Sequence, residues 1–175
     1  LILTGDMEEG GKPAYTITNV VLPASQNYAQ NSFGNGAFPM VAVTQNMADH
    51  NLKFKNVGGA MKLQLKGNQV VKSIKVEGNN GEKLSGSATV VVYANNLTPA
   101  IKMSDNASTA VNLECGEGVQ LNESEATSFY IALPPVLFAN GFTATVTDAN
   151  NQVYTLKTEA ANTVVSESGE TLSPK

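Results

Sequence analysis

Chemistry in this chain has few residues to start from. Cys115 is its one cysteine and His50 its one histidine. Nucleophilic catalysis needs a nucleophile, a base and an orienting group within hydrogen-bond reach. Cys115 and His50 sit in different segments without a flanking signature. They read as a half-buried residue at a strand end and a loop residue beside Asp49. A zinc site takes three or four ligands, mostly Cys or His, so one of each does not make one. Hard cations prefer carboxylates. Glu114, Glu117, Glu123 and Glu125 gather around one loop with Asp105 ahead of them, but no calcium-loop spacing is met, and they read as a solvated acidic rim. The stretches Gly34-Asn35-Gly36, Gly58-Gly59 and Gly116-Glu117-Gly118 open no helix, so they read as turns, not as phosphate cradles. A glycosidase needs two carboxylates held at a fixed separation, and nothing here pins such a pair. The expectation is a chain with no catalytic, cofactor-binding or metal-binding residues: not an enzyme, and without cofactors.

Two surface features remain. Sugars stack on exposed aromatics, and Tyr15, Tyr28, Tyr93 and Tyr154 are the candidates in a chain without tryptophan; packing within strands and loops is the competing reading. Thr143, Thr145 and Thr147 form a row of ordinary sheet surface. On an edge strand that row would also be able to accept a partner strand.

Composition narrows the classes further. The chain has 175 residues, 42% of them hydrophobic and 15% charged, with a net charge of −4. Its 11 basic residues are all lysines. Nucleic-acid readers depend on clustered Lys and Arg, with Arg supplying bidentate contacts, so that class is set aside, as is binding to anionic lipid. One cysteine permits no internal disulfide. No apolar run approaches the 18 or so residues of a membrane-spanning helix. The start at Leu1 is expected to be that of a mature or excised fragment.

The elements that would position any site are strands. Across residues 52–92 apolar residues alternate with polar or small ones, as in Met61-Lys62-Leu63-Gln64-Leu65 and Ile74-Lys75-Val76-Glu77. The breaks fall at Gly58-Gly59, Gly67-Asn68 and residues 78–81. A period of two buries one face of a strand, and turn residues between such runs predict hairpins, so this region reads as an antiparallel meander. Residues 1–4 read as a short strand, 5–13 as an acidic loop, 15–22 as a strand stopped by Pro23, and 24–38 as a long loop with aromatic anchors. Residues 40–44 read as a buried strand and Val90–Tyr93 as a strand covered on both sides. Residues 95–105 read as an irregular connection and 111–115 as a strand. Residues 116–125 form a loop with Val119 and Leu121 as inward pegs. Residues 128–133 read as a strand ended by Pro134-Pro135. Residues 141–147 and 153–157 form a second hairpin. About nine strands without an amphipathic helix imply an all-β fold, a two-sheet antiparallel β-sandwich with Greek-key crossings. One domain spans 1–175: N-terminal strands and a long loop over 1–50, a core over 51–165 and a polar tail over 166–175.

Two runs carry a resemblance. Residues 54–67, opening Phe54-Lys55-Asn56 and continuing Met61-Lys62-Leu63-Gln64-Leu65-Lys66-Gly67, are followed by Val71-Lys72-Ser73-Ile74-Lys75-Val76. Later come Phe129-Tyr130-Ile131-Ala132-Leu133-Pro134-Pro135 and Gly141-Phe142-Thr143-Ala144-Thr145-Val146-Thr147-Asp148. This pattern resembles the Bacteroidetes-type fimbrillin-like proteins over roughly residues 38–165. The resemblance implies a transthyretin-like sandwich, export as a lipoprotein to the cell surface or outer membrane, and a role in a fimbrium or pilus, or in cell adhesion. It implies partners that are other fimbrial subunits joined by strand exchange, or host or glycan ligands, with no nucleic acid. The exchanged or gating strand would be residues 1–4 or 15–22. The alternative is a surface glycan- or nutrient-binding accessory lipoprotein. The family's second domain is not evident in this sequence, and the lipobox cysteine and the cleavage-site arginine of its shaft subunits are absent from residues 1–175, although both could lie before Leu1.

Overall fold

The computed structural model describes residues 4–7, 13–43, 54–93 and 98–165. Among the described residues sixteen strands follow one another: β1 (Thr4–Met7), β2 (Pro13–Leu22), β3 (Ser25–Ala29), β4 (Ser32–Phe33), β5 (Met40–Val41), β6 (Lys55–Asn56), β7 (Gly59–Leu65) and β8 (Val70–Gly78). They continue with β9 (Gly86–Tyr93), β10 (Ala100–Met103), β11 (Ala110–Gln120), β12 (Thr127–Leu133), β13 (Val136–Phe138), β14 (Phe142–Asp148), β15 (Val153–Lys157) and β16 (Asn162–Val164). There is no helix among the described residues. The chain is all-β, as the alternation predicts.

The alternation sets which faces meet. Met61 and Leu63 of β7 are buried, with Phe129, Ile131 and Leu133 of β12, which pairs with β7 in a two-stranded sheet. Facing them are Val71, Ile74 and Val76 of β8, Val111 and Leu113 of β11, and Ala144 and Val146 of β14. These belong to a six-stranded sheet in the order β15-β14-β8-β11-β3-β4. The main core lies between these two sheets, each presenting its apolar face to the other. A smaller core joins Val90 and Val92 of β9, with Ile17, Val20 and Ile101 against them, to Val41 of β5 and Val57 after β6; β9 lies in a four-stranded sheet ordered β1-β2-β9-β10.

The two main sheets are tied by a polar side chain. Gln26 of β3 is buried; its amide nitrogen donates to the Ala132 carbonyl at 2.7 Å and its amide oxygen accepts from the Ala132 N–H at 2.8 Å. The side chain thus makes the pair of bonds that a strand neighbour would make to β12.

Several expectations need correction. The strands of residues 52–92 form where periodicity places them, but not as a meander. β7 pairs with β12, β8 with β11 and β14, and β9 with β2 and β10. The connections cross between sheets, because stacking two apolar faces buries more than laying them side by side. The sandwich is not purely antiparallel either: β3 runs parallel to β11. The 24–38 loop contains β3 and β4, hidden because the inward residue Gln26 is polar. β10 lies within the expected irregular connection, and β1 reaches Met7 in what reads as a loop. Of the strand expected over residues 40–44, the described part, 40–43, gives a two-residue strand whose Met40 is 59% exposed, and residue 44 lies outside the described residues. Val90–Tyr93 alternates after all, with Val90 and Val92 buried and Val91 and Tyr93 half-exposed. Gly116-Glu117-Gly118 sits in an irregularity of β11 between Glu114 and Val119, where Gly116 and Gly118 hold φ of 54° and 110°.

Candidate functional site

The 141–157 hairpin forms as expected. Thr143 faces Lys157, Thr145 faces Thr155 and Thr147 faces Val153. Its turn is closed by Asp148, a buried carboxylate. One oxygen, Oδ1, accepts the Asn150 N–H at 2.8 Å and the Gln152 N–H at 2.9 Å; Oδ2 accepts the Tyr154 hydroxyl at 3.3 Å. Asn151 sits at φ 59°, a conformation Asn tolerates better than most residues.

This hairpin places β15 at the end of the six-stranded sheet, with β14 as its one strand neighbour among the described residues. The phase of the ladder follows from its two ends. Asp148 N–H donates to the Gln152 carbonyl at 3.0 Å, and Thr158 N–H donates to the Phe142 carbonyl at 2.9 Å. Hydrogen-bonded pairs alternate along an antiparallel ladder, so the main-chain groups of Tyr154 and Leu156 turn toward β14. Those of Val153, Thr155 and Lys157 turn outward, where no described residue meets them. All five residues of β15 are exposed. Val153 is 61% exposed, Leu156 44% and Tyr154 41%. No proline or bulge blunts this edge, and one lysine, Lys157, marks it.

Under the core-side face of β15 lies a pocket of about 250 Å³. Leu65 and Lys66 close it from the end of β7, Val71 and Val146 form its floor, and Leu121 and Gln69 flank them. Tyr154 and Leu156 line it from β15. Among the described residues β7 pairs with β12 alone, so the pocket lies between the last described strands of the two facing sheets. Its lining is mainly apolar, suited to an aliphatic or aromatic side chain.

The sequence candidates are scattered. Cys115 is buried, and its thiol is pushed up to about 11 by burial first and Glu114 second, with Lys72 opposing. Such a thiol is a poor nucleophile at neutral pH. His50 and Asp49 lie outside the described residues. Glu114, Glu117, Glu123, Glu125 and Asp105 are all exposed, and no group of three or more potential metal ligands comes together among the described residues. Tyr15, Tyr28 and Tyr93 are half-buried, Tyr28 with its ring 5.4 Å from that of Phe129. Tyr154 is exposed. The threonine row lies on β14, an interior strand between β15 and β8, so it offers no edge; its neighbour does. β2, which contains residues 15–22, is flanked by β1 and β9, so releasing it would break pairing on two sides. β1 is an edge strand.

Sequence reasoning finds the hairpin but not the exposure of β15. Val153, Tyr154 and Leu156 put apolar groups on both faces of a short strand, and that absence of a clean period is the available signal.

No family model matches the chain, and no curated protein matches it. Among solved structures, the chain is similar to a crystal structure described as a "putative cell adhesion protein" from Bacteroides ovatus, with 11% identity and a TM-score of 0.44. The similarity covers 89% of this chain and 60% of that one, so the chain spans less than two thirds of that protein's length.

Proposed function

We propose that this chain is a non-enzymatic cell-surface protein, a fimbrillin-like subunit or adhesin-type domain that acts by pairing a sheet edge with an extended strand of a partner. The observation that carries the reading is the open side of the main core, where the unblunted edge of β15 adjoins an apolar pocket. In strand addition, main-chain hydrogen bonds supply affinity and pockets select alternate side chains. β15 offers outward N–H and C=O groups at Val153, Thr155 and Lys157, and the pocket beside it accepts an apolar side chain. The resemblance of residues 38–165 to fimbrillin-like proteins supports the same class and carries surface localisation with it.

The test uses synthetic peptides copying the N- and C-terminal strands of proteins encoded beside this one. Titrated into the full chain and followed by amide exchange, a matching peptide should protect the β15 amides of Val153, Thr155 and Lys157. Peptides that neither bind nor protect these amides would overturn the reading. On a glycan array the chain should stay blank, because Tyr154 offers a single ring above an apolar pocket.

A further inference from the structure

The edge of β15 is self-complementary, and we propose that it pairs antiparallel with β15 of a second copy of this chain, about a two-fold axis through Thr155. The proposal rests on the strand-pairing reading above and names the partner. Three features select a second copy. The outward main-chain groups of Val153, Thr155 and Lys157 are spaced symmetrically about Thr155, so the two-fold register pairs Thr155 with itself and Val153 with Lys157, each as a hydrogen-bonded pair. The pocket-side residues are symmetric as well: Tyr154 of one copy meets Leu156 of the other, joining two apolar patches that are each more than 40% exposed alone. Charges do not clash. Lys157 lies opposite Val153 and can lay its aliphatic stem along it, while Glu159 lies opposite Asn151, although each copy carries a net charge of −4. The product is a continuous sheet with closed two-fold symmetry.

A five-residue edge buries less than the roughly 800 Å² per partner of a stable complex, so the dimer is weak and depends on concentration. Register can be read by oxidation. In the two-fold register Thr155→Cys places its sulfurs on directly opposed residues, whose Cα atoms are about 5.5 Å apart, within the range a disulfide spans. Val153→Cys places like residues about 13 Å apart, beyond that range. Both are made on a Cys115→Ser background. Thr155→Cys should cross-link to dimer at least tenfold faster than Val153→Cys, and sedimentation of the unmodified chain should show a mass rising with concentration. Thr155→Pro, whose lost N–H bonds nothing among the described residues, should abolish that rise while keeping the native circular dichroism. Equal cross-linking of both cysteine variants, or a monomer at every concentration, overturns the proposal. A monomer that still binds a neighbour's strand peptide overturns the second-copy pairing alone, whereas a dimer that binds no peptide overturns the partner-subunit reading alone.

Discussion

Gln26 shows how much one polar side chain can determine. It is 4% exposed, and both ends of its amide are spent on the Ala132 main chain. Replacing it with leucine leaves a buried N–H and a buried C=O without partners, and each such group costs about 1–3 kcal/mol. Gln26→Leu should therefore lower unfolding stability by about 2–6 kcal/mol, read as a shift of the urea midpoint. A loss below about 0.5 kcal/mol would mean water reaches those groups. Cys115 gives a second test at this scale. Burial raises its thiol from an ordinary 9.0 to about 11, so the fold favours the protonated form. The resulting stabilisation is complete below pH 9 and is lost as pH rises through 11. Cys115→Ala should lack that component, so the stability difference between the two proteins should shift between pH 9 and 11. A thiol reagent at pH 8 should react about a hundredfold more slowly with the native chain than with the unfolded one. Equal rates would place the sulfur at the surface.

At the scale of elements, β15 depends on Asp148 for the turn that leads into it and, among the described residues, on β14 alone for strand pairing. Asp148→Ala removes three acceptor contacts at a buried position and should destabilise the chain by about 2–3 kcal/mol, while Asp148→Asn, which keeps an acceptor oxygen, should lose less. Denaturant melts of the two variants make the comparison, and equal losses would show that the negative charge matters more than the turn hydrogen bonds. Native-state amide exchange reads the same element: the N–H groups of Val153, Thr155 and Lys157 should exchange orders of magnitude faster than those of Ile74 and Val76 in the interior strand β8. The strands most legible in the sequence are those whose buried face is apolar, β7, β8, β12 and, up to Asp148 at its end, β14. What stayed hidden has a physical reason in each case. β3 points a glutamine inward, and β13 and β16 are three residues long; β15 is found as a strand, but apolar residues on both its faces conceal its exposure. The β15 edge is illegible because a period of two reports which face is buried but not which strand stands last in a sheet.

For the whole molecule, pairing partners are distant in sequence: β2 with β9, β3 with β11, β7 with β12 and β8 with β14. Alternation cannot reveal such pairings, because a turn such as Gly67-Asn68 serves a hairpin and a crossing between sheets equally well. Distant pairing also governs the folding rate. Loop closure must precede the contacts that offset its entropy, so β-rich topologies of this kind refold in about milliseconds to seconds, and this chain should lie at the slow end. The same logic separates two variants already described. Asp148 stabilises contacts within a few residues of itself, available before the sheets meet, whereas Gln26 bonds a residue 106 positions away. Asp148→Ala should therefore slow refolding, and Gln26→Leu should mainly speed unfolding. Stopped-flow chevrons of the two proteins give the answer. If Gln26→Leu instead slows refolding in proportion to its lost stability, the two main sheets dock before the hairpin closes, and the nucleus lies at the β3–β12 junction.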